Sequence, residues 1–231
     1  MSKPSHIHRS HTAHRTEDVI YDIHNHGINI KTNEIFLFGH NSHIGGDDEP
    51  GVEFGMANQF IKNLTVLMSH STKPILIHMK TCGGHWAEGM AIHNAIQACP
   101  NYICILSYTH ARSMSSLILQ AADKRVMMKD STFMFHEGTM SMSGTVKQYL
   151  TEGEELVKSG NRMMGIYKER MAEAPIFKKY SDKRLHKWLT DKMDRKEDVY
   201  LSAKDAVKYG FADEVFGEEG TFDWDDLKKV D

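Results

Sequence analysis

Three short motifs in this chain carry groups suited to acyl transfer. Thr81-Cys82-Gly83-Gly84-His85 sets a glycine pair between a strand-like and a helix-like run. Glycine lets the backbone turn sharply, and N–H groups exposed at a helix start suit a developing oxyanion. Ala111-Arg112-Ser113-Met114-Ser115-Ser116 sets a serine at the start of a small apolar helix, where the helix dipole favours negative charge. Such a serine becomes a nucleophile if a base is near. Phe133-Met134-Phe135-His136 ends an apolar strand on a histidine, a residue type that serves as general base. Each motif has a plainer reading when taken alone: a tight turn, an N-cap serine or a satisfied core histidine. Together they change the balance, because serine, histidine and Gly-Gly at neighbouring strand ends are the parts of an acyl-transfer site. In a parallel sheet such ends converge on a ligand crevice.

Those strand ends need a sheet behind them. Residues 35–38 read as a buried strand, and Met56, Phe60, Leu64 and Leu67 then recur at helical spacing. Residues 74–77 open a second strand, 86–98 a helix, 102–108 a third strand and 114–122 a small apolar helix. Short strands are expected at 126–128 and 133–135. Alternating strand and helix favours a largely parallel sheet with covering helices. Residues 145–171 read as one helix too long for a compact core, hence as a projecting arm that Pro175 ends. Its Val146, Tyr149, Leu150, Leu156, Val157, Met163, Met164 and Tyr167 are expected to dock on a neighbouring molecule. A charged helix follows over 182–193. Ser202 caps a short helix, with Asp205 three residues on and Gly210 at C′, and 211–216 form a last strand.

The bulk composition fits one domain with substantial burial, since 40% of the 231 residues are hydrophobic and 26% charged. A net charge of −3, from 28 basic and 31 acidic residues, gives no electrostatic case for nucleic acid or anionic membrane. Cys82, Cys99 and Cys104 are too few for a disulfide framework and read as reduced thiols. The chain shows neither a bilayer-length apolar run nor a signal peptide, so a cytoplasmic protein is expected. Residues 1–18 form a flexible His-rich segment (His6, His8, His11 and His14), read as a solvated tail rather than a metal site. Residues 19–216 form the domain, with the arm region at about 139–175, and 217–231 form a loose acidic tail.

Beyond these readings, the chain resembles the proteolytic subunit of Clp protease, a ClpP-type serine peptidase of crotonase-like fold, from about Glu34 to Phe216. Residues 34–39 look like the family's first core strand. Thr81-Cys82-Gly83-Gly84 stands where the family has Ser-Pro-Gly-Gly, and Gly89-Met90-Ala91-Ile92 where it has Gly-Met-Ser-Ile. Ala111-Arg112-Ser113-Met114 matches Ala-Ala-Ser-Met, Phe133 to His136 matches Val-Met-Ile-His, and Leu201 to Asp213 matches the C-terminal signature. Six motifs in the right order carry the resemblance.

The resemblance implies an α/β fold of repeated β-β-α units with a projecting handle helix. It implies Ser113 as nucleophile, His136 as general base and Asp198 as orienting acid, with Asp194 and Asp191 in reserve. The backbone N–H groups of Gly84 and Met114 become the oxyanion hole. No cofactor or metal is implied. Stacked rings of identical subunits and a separate AAA+ unfolding ATPase are. The family's ATPase-docking pocket would include Leu76 and His78, the histidine making that surface more polar. Ser115, Thr109 and Cys82 depart from the family's Gly, Gly and Pro. Other readings stay open: a crotonase-type acyl-CoA enzyme using Glu88 or Glu137, a Ser–Lys peptidase using Lys124 or Lys129, a Cys82 nucleophile, or a non-catalytic ring subunit.

Overall fold

The computed structural model describes residues 16–38, 49, 51–218 and 225–230. His6, His8, His11, His14 and Gly39 lie outside the described residues. Eleven residues that the sequence reading divided between tail and domain form α1, Thr16–His26. It buries none of its side chains, which is why its sequence looks like solvated tail. β1 (Ile28–Asn29) then turns back antiparallel onto β2 (Glu34–Phe38). From there the chain alternates: α2 (Phe54–His70), β3 (Ile75–Thr81), α3 (Trp86–Gln97), β4 (Ile103–Arg112), α4 (Met114–Gln120), β5 (Lys124–Met127) and β6 (Thr132–Phe135). The long α5 (Val146–Glu173) is followed by α6 (Asp182–Lys196), β7 (Val199–Ser202), α7 (Ala203–Lys208) and β8 (Glu214–Val215).

The sheet is parallel across β2-β3-β4-β5-β8, as alternation predicts, with β1 and β7 as antiparallel additions. Period-two alternation sorts its side chains. Ile75, Ile77, Met79, Ile103 and Ile105 face the helices and form the main core. Leu76, Cys104, Leu106 and Val126 face the opposite way and form a second cluster, closed by Leu227. Residues 225–230 therefore fold back onto the sheet and are no loose tail. Lys228 donates from Nζ to Thr32 O at 2.9 Å and to Glu34 Oε1 at 2.6 Å. The expected docking positions are covered as a result: Leu76 is 0% and His78 5% exposed. The His78 ring stacks on Phe36 at 4.5 Å, and its Nδ1 pairs with Tyr108 Oη at 2.8 Å. Neither side chain is a polar outer surface.

β4 decides where the chemistry sits. Thr109 and His110 break its apolar run, which sets its expected end at residue 108. The strand continues to Arg112, and its register against β3 slips between Met79 and Thr81. Beyond that irregularity it changes partner. Cys104 to Ser107 pair with β5, whereas His110 to Arg112 pair with β6. The expected last strand is shorter than 211–216, because Phe211 leaves the sheet. Gly210 at φ +82° closes α7, and Phe211 turns inward to stack on Phe133 at 4.7 Å.

Candidate active site

The partner change of β4 delivers Ser113 to the side of β6. Its N–H donates to Met134 O at 3.1 Å. Ser113 occupies the N-cap position of α4 yet makes no capping hydrogen bond with its side chain. Its backbone, at φ 51° and ψ −127°, is one that residues with side chains rarely adopt. The hydroxyl is thereby turned out of the helix. It lies 2.9 Å from His136 Nε2, and His136 Nδ1 lies 3.0 Å from Asp198 Oδ1. A carboxylate only accepts, so Nδ1 carries the proton toward Asp198, and Nε2 is left to accept from Ser113. His136 is largely buried and Asp198 is partly open to solvent.

Asp198 arrives through an element the sequence reading missed. β7 runs antiparallel to β6 with Phe135 opposite Val199, so the next pair outward is His136 and Asp198. Glu197, at φ 55°, makes the sharp exit from α6 that starts this strand. The signal was present in Val199-Tyr200-Leu201, a run of strand-forming residues. Of the reserve acids, Asp191 is tied to Lys187 at 2.8 Å and Asp194 is exposed on α6. Lys124 pairs with Glu214 at 3.1 Å, and Lys129 and Glu137 are exposed. Glu88 is partly exposed in the first turn of α3. The Cys82 thiol is pushed up by burial and by the nearby Glu49 carboxylate, which makes it a poorer nucleophile.

The glycine pair lies against the serine. A Cβ on Gly83 would stand 2.7 Å from both Arg112 O and Ser113 Cβ, and 3.0 Å from Met114 N. One on Gly84 would stand 2.3 Å from Val52 O. Only glycine permits this approach, and both residues have positive φ. Val52 N–H donates to Gly83 O at 2.6 Å, and His85 N–H donates to Val52 O at 2.9 Å. That parallel bridge turns the Gly84 N–H away from Val52. Met114 begins α4, so its N–H belongs to the first turn, which lacks intrahelical partners.

Two serines stiffen this arrangement. Ser115 Oγ donates to Thr81 O at 2.7 Å, tying α4 to the strand that ends in Gly-Gly. Ser116 Oγ donates to Ser113 O at 2.6 Å and contacts Tyr167 Oη at 2.6 Å. Arg112 holds β4 to β6 through Thr132 Oγ1, at 3.2 Å from Nε and 3.0 Å from Nη2. Glu49 pairs with His110 at 2.8 Å just outside the glycine turn.

The family model for Clp protease matches residues 49–219 of this chain. The chain belongs to the Clp protease family. The ATP-dependent Clp protease proteolytic subunit of Deinococcus radiodurans is 28% identical to this chain over 170 residues, covering 72% of this chain and 77% of that protein. Proteolytic subunit 2 of Pseudomonas aeruginosa is 26% identical over 171 residues, covering 73% and 79%. In fold, the chain is similar to a point mutant of ClpP1 from Listeria monocytogenes, with a TM-score of 0.66 and 21% identity. That match covers 86% of this chain and 96% of the other. The chain is thus a peptidase with the ClpP-type α/β fold expected from its sequence, a divergent member of its family.

Proposed function

We propose that this chain is a serine endopeptidase that cleaves peptides or unfolded proteins through an acyl-enzyme on Ser113. The observation that carries the reading is the hydrogen-bonded line from Ser113 through His136 to Asp198. In this reading Ser113 Oγ attacks the scissile carbonyl carbon while His136 Nε2 takes the hydroxyl proton. Asp198 holds the ring in the tautomer that can accept and stabilises the imidazolium. The carbonyl oxygen, now negative, is bound by the N–H groups of Gly84 and Met114. His136 then gives its proton to the leaving amine, the C–N bond breaks, and an ester to Ser113 remains. Water, deprotonated by His136, hydrolyses that ester and restores the hydroxyl.

We propose further that the enzyme works in the cytoplasm as a homo-oligomer of stacked rings. Three free cysteines are consistent with a reducing compartment. Val146, Leu150 and Val157 stand exposed on the outer half of α5 and supply an apolar surface for a second subunit. The 231 residues contain no Gly-x-x-x-x-Gly-Lys-Ser/Thr loop, so any unfolding step is assigned to a separate AAA+ ATPase. The catalytic reading is tested on a short fluorogenic peptide. Ser113→Ala protein is expected to fold and assemble but to show no turnover, and full turnover in that variant contradicts the reading.

A further inference from the structure

We infer that Tyr167 is a positioning residue for the nucleophile, acting through Ser116. The inference rests on the reading of Ser113 as that nucleophile. The Ser113 backbone is held in a conformation that persists only where surrounding groups impose it. Its N–H is fixed by Met134 O at 3.1 Å. Its carbonyl oxygen is fixed twice by Ser116, from the backbone N–H at 3.0 Å and from the hydroxyl at 2.6 Å.

The direction of the remaining bond follows from counting protons. Ser116 has one hydroxyl proton, and a carbonyl oxygen can only accept, so that proton points to Ser113 O. Toward Tyr167 Oη, 2.6 Å away, the Ser116 oxygen therefore accepts. The chain runs from Tyr167 through Ser116 to the Ser113 carbonyl, and each bond polarises the next. Ser116 is 0% and Tyr167 1% exposed, so water does not compete for these groups. Burial also pushes the Tyr167 hydroxyl well above its ordinary value, which keeps its proton in place as a donor.

Tyr167 also touches the strand that carries the base. Its ring packs against Phe133 and Phe135 of β6 at 6.3 and 5.8 Å, and against Phe211 at 5.6 Å. His136 follows Phe135 directly. One side chain on α5 thus grips the carbonyl of Ser113 through its hydroxyl and the strand of His136 through its ring. It registers the two across the 2.9 Å gap over which the proton moves. At 1% exposure it presents no surface to a substrate, so its loss falls on the chemical step rather than on binding.

The test uses a fluorophosphonate that phosphonylates activated serines, with saturation kinetics separating the maximal rate of labelling from the half-saturating concentration. Tyr167→Phe keeps the ring and removes the hydroxyl, and Ser116→Ala removes the link. Each is expected to lower the maximal rate about fivefold, the size of one net hydrogen bond, with the half-saturating concentration unchanged. Because the two act as one chain, the double variant is expected to fall no further than the slower single variant. A role in folding alone would lower the thermal midpoint and leave the maximal rate, measured well below it, untouched. If Tyr167→Phe does not fold, Ser116→Ala decides the matter alone. Adduct on Ser113 with unchanged maximal rates in the folded variants, or additive losses, overturns the inference and leaves the nucleophile reading standing. Absence of adduct on Ser113 in the unaltered protein overturns both.

Discussion

The two halves of α5 share one helix and one apolar periodicity but meet opposite surroundings. In its outer half Val146 is 77%, Leu150 67% and Val157 64% exposed. In its inner half Met163, Met164, Ile166, Tyr167 and Met171 are buried within the same chain. Met163, Met164 and Tyr167, expected to dock on a neighbouring molecule together with the outer residues, pack within their own chain. A helical stripe reports that a face will be covered but not by what. Here the inner half packs into the chain's own core, with Tyr167 against Ser116 and Phe135, and the outer half alone leaves its apolar face open.

The largest expected effects fall where the inner half meets the site. His136→Ala is expected to lower peptide turnover by on the order of a millionfold, because the hydroxyl then has no proton acceptor. Asp198→Asn is expected to lower it by about ten-thousandfold and leave measurable activity, through loss of the productive tautomer. Steady-state kinetics on a fluorogenic peptide check both, and an Asp198→Asn change without effect would remove Asp198 from the orienting role. Next comes the packing of the inner half. Met171→Ala is expected to cost about 2–5 kcal/mol in a urea titration, by opening a cavity in the core. A loss as small as that of a surface residue would break the contrast between the two halves.

The outer half is expected to behave in the opposite way. Leu150→Ser and Val157→Ser should change the folding stability of the chain by less than about 0.5 kcal/mol. They should nevertheless shift the sedimentation profile toward smaller species. Large losses of stability with unchanged assembly would mean that the arm is covered by its own chain. The smallest effect concerns the strap at residues 225–230. Burial raises the Glu34 carboxyl, but hydrogen bonds from His78 and Lys228 outweigh it and hold it at about 2, against an ordinary 4.5. A carboxyl lowered on folding stabilises above its unfolded value, and the contribution fades as pH falls from 4.5 to about 2. Lys228→Ala should therefore flatten part of the acid loss of stability over that interval, as read from urea midpoints against pH, and an unchanged slope would contradict the pairing.

The meeting of Ser113 with His136 was legible in the sequence because the serine opens an apolar helix and the histidine ends an apolar strand, and a sheet of alternating elements brings such ends together. Asp198 was reachable only by resemblance, since it depends on β7, a four-residue strand whose pairing with β6 joins segments far apart in the chain. The extent of β4 was misread for a local reason: Thr109 and His110 look like a loop, yet they pair within the sheet. The link from Ser116 to Tyr167 spans 51 residues and leaves no periodic trace. Leu227 was hidden among charged neighbours, and its burial follows from an apolar sheet face that needed a cover. Local patterns thus named the groups, while long-range pairing decided which of them meet.

The most direct test of the account is to map the adduct left by a fluorophosphonate, comparing the unaltered protein with His136→Ala by tandem mass spectrometry. The account predicts a single modified site at Ser113 in the unaltered protein and almost no adduct when His136 is removed. Modification at another residue, or labelling of Ser113 at an equal rate without His136, would contradict it.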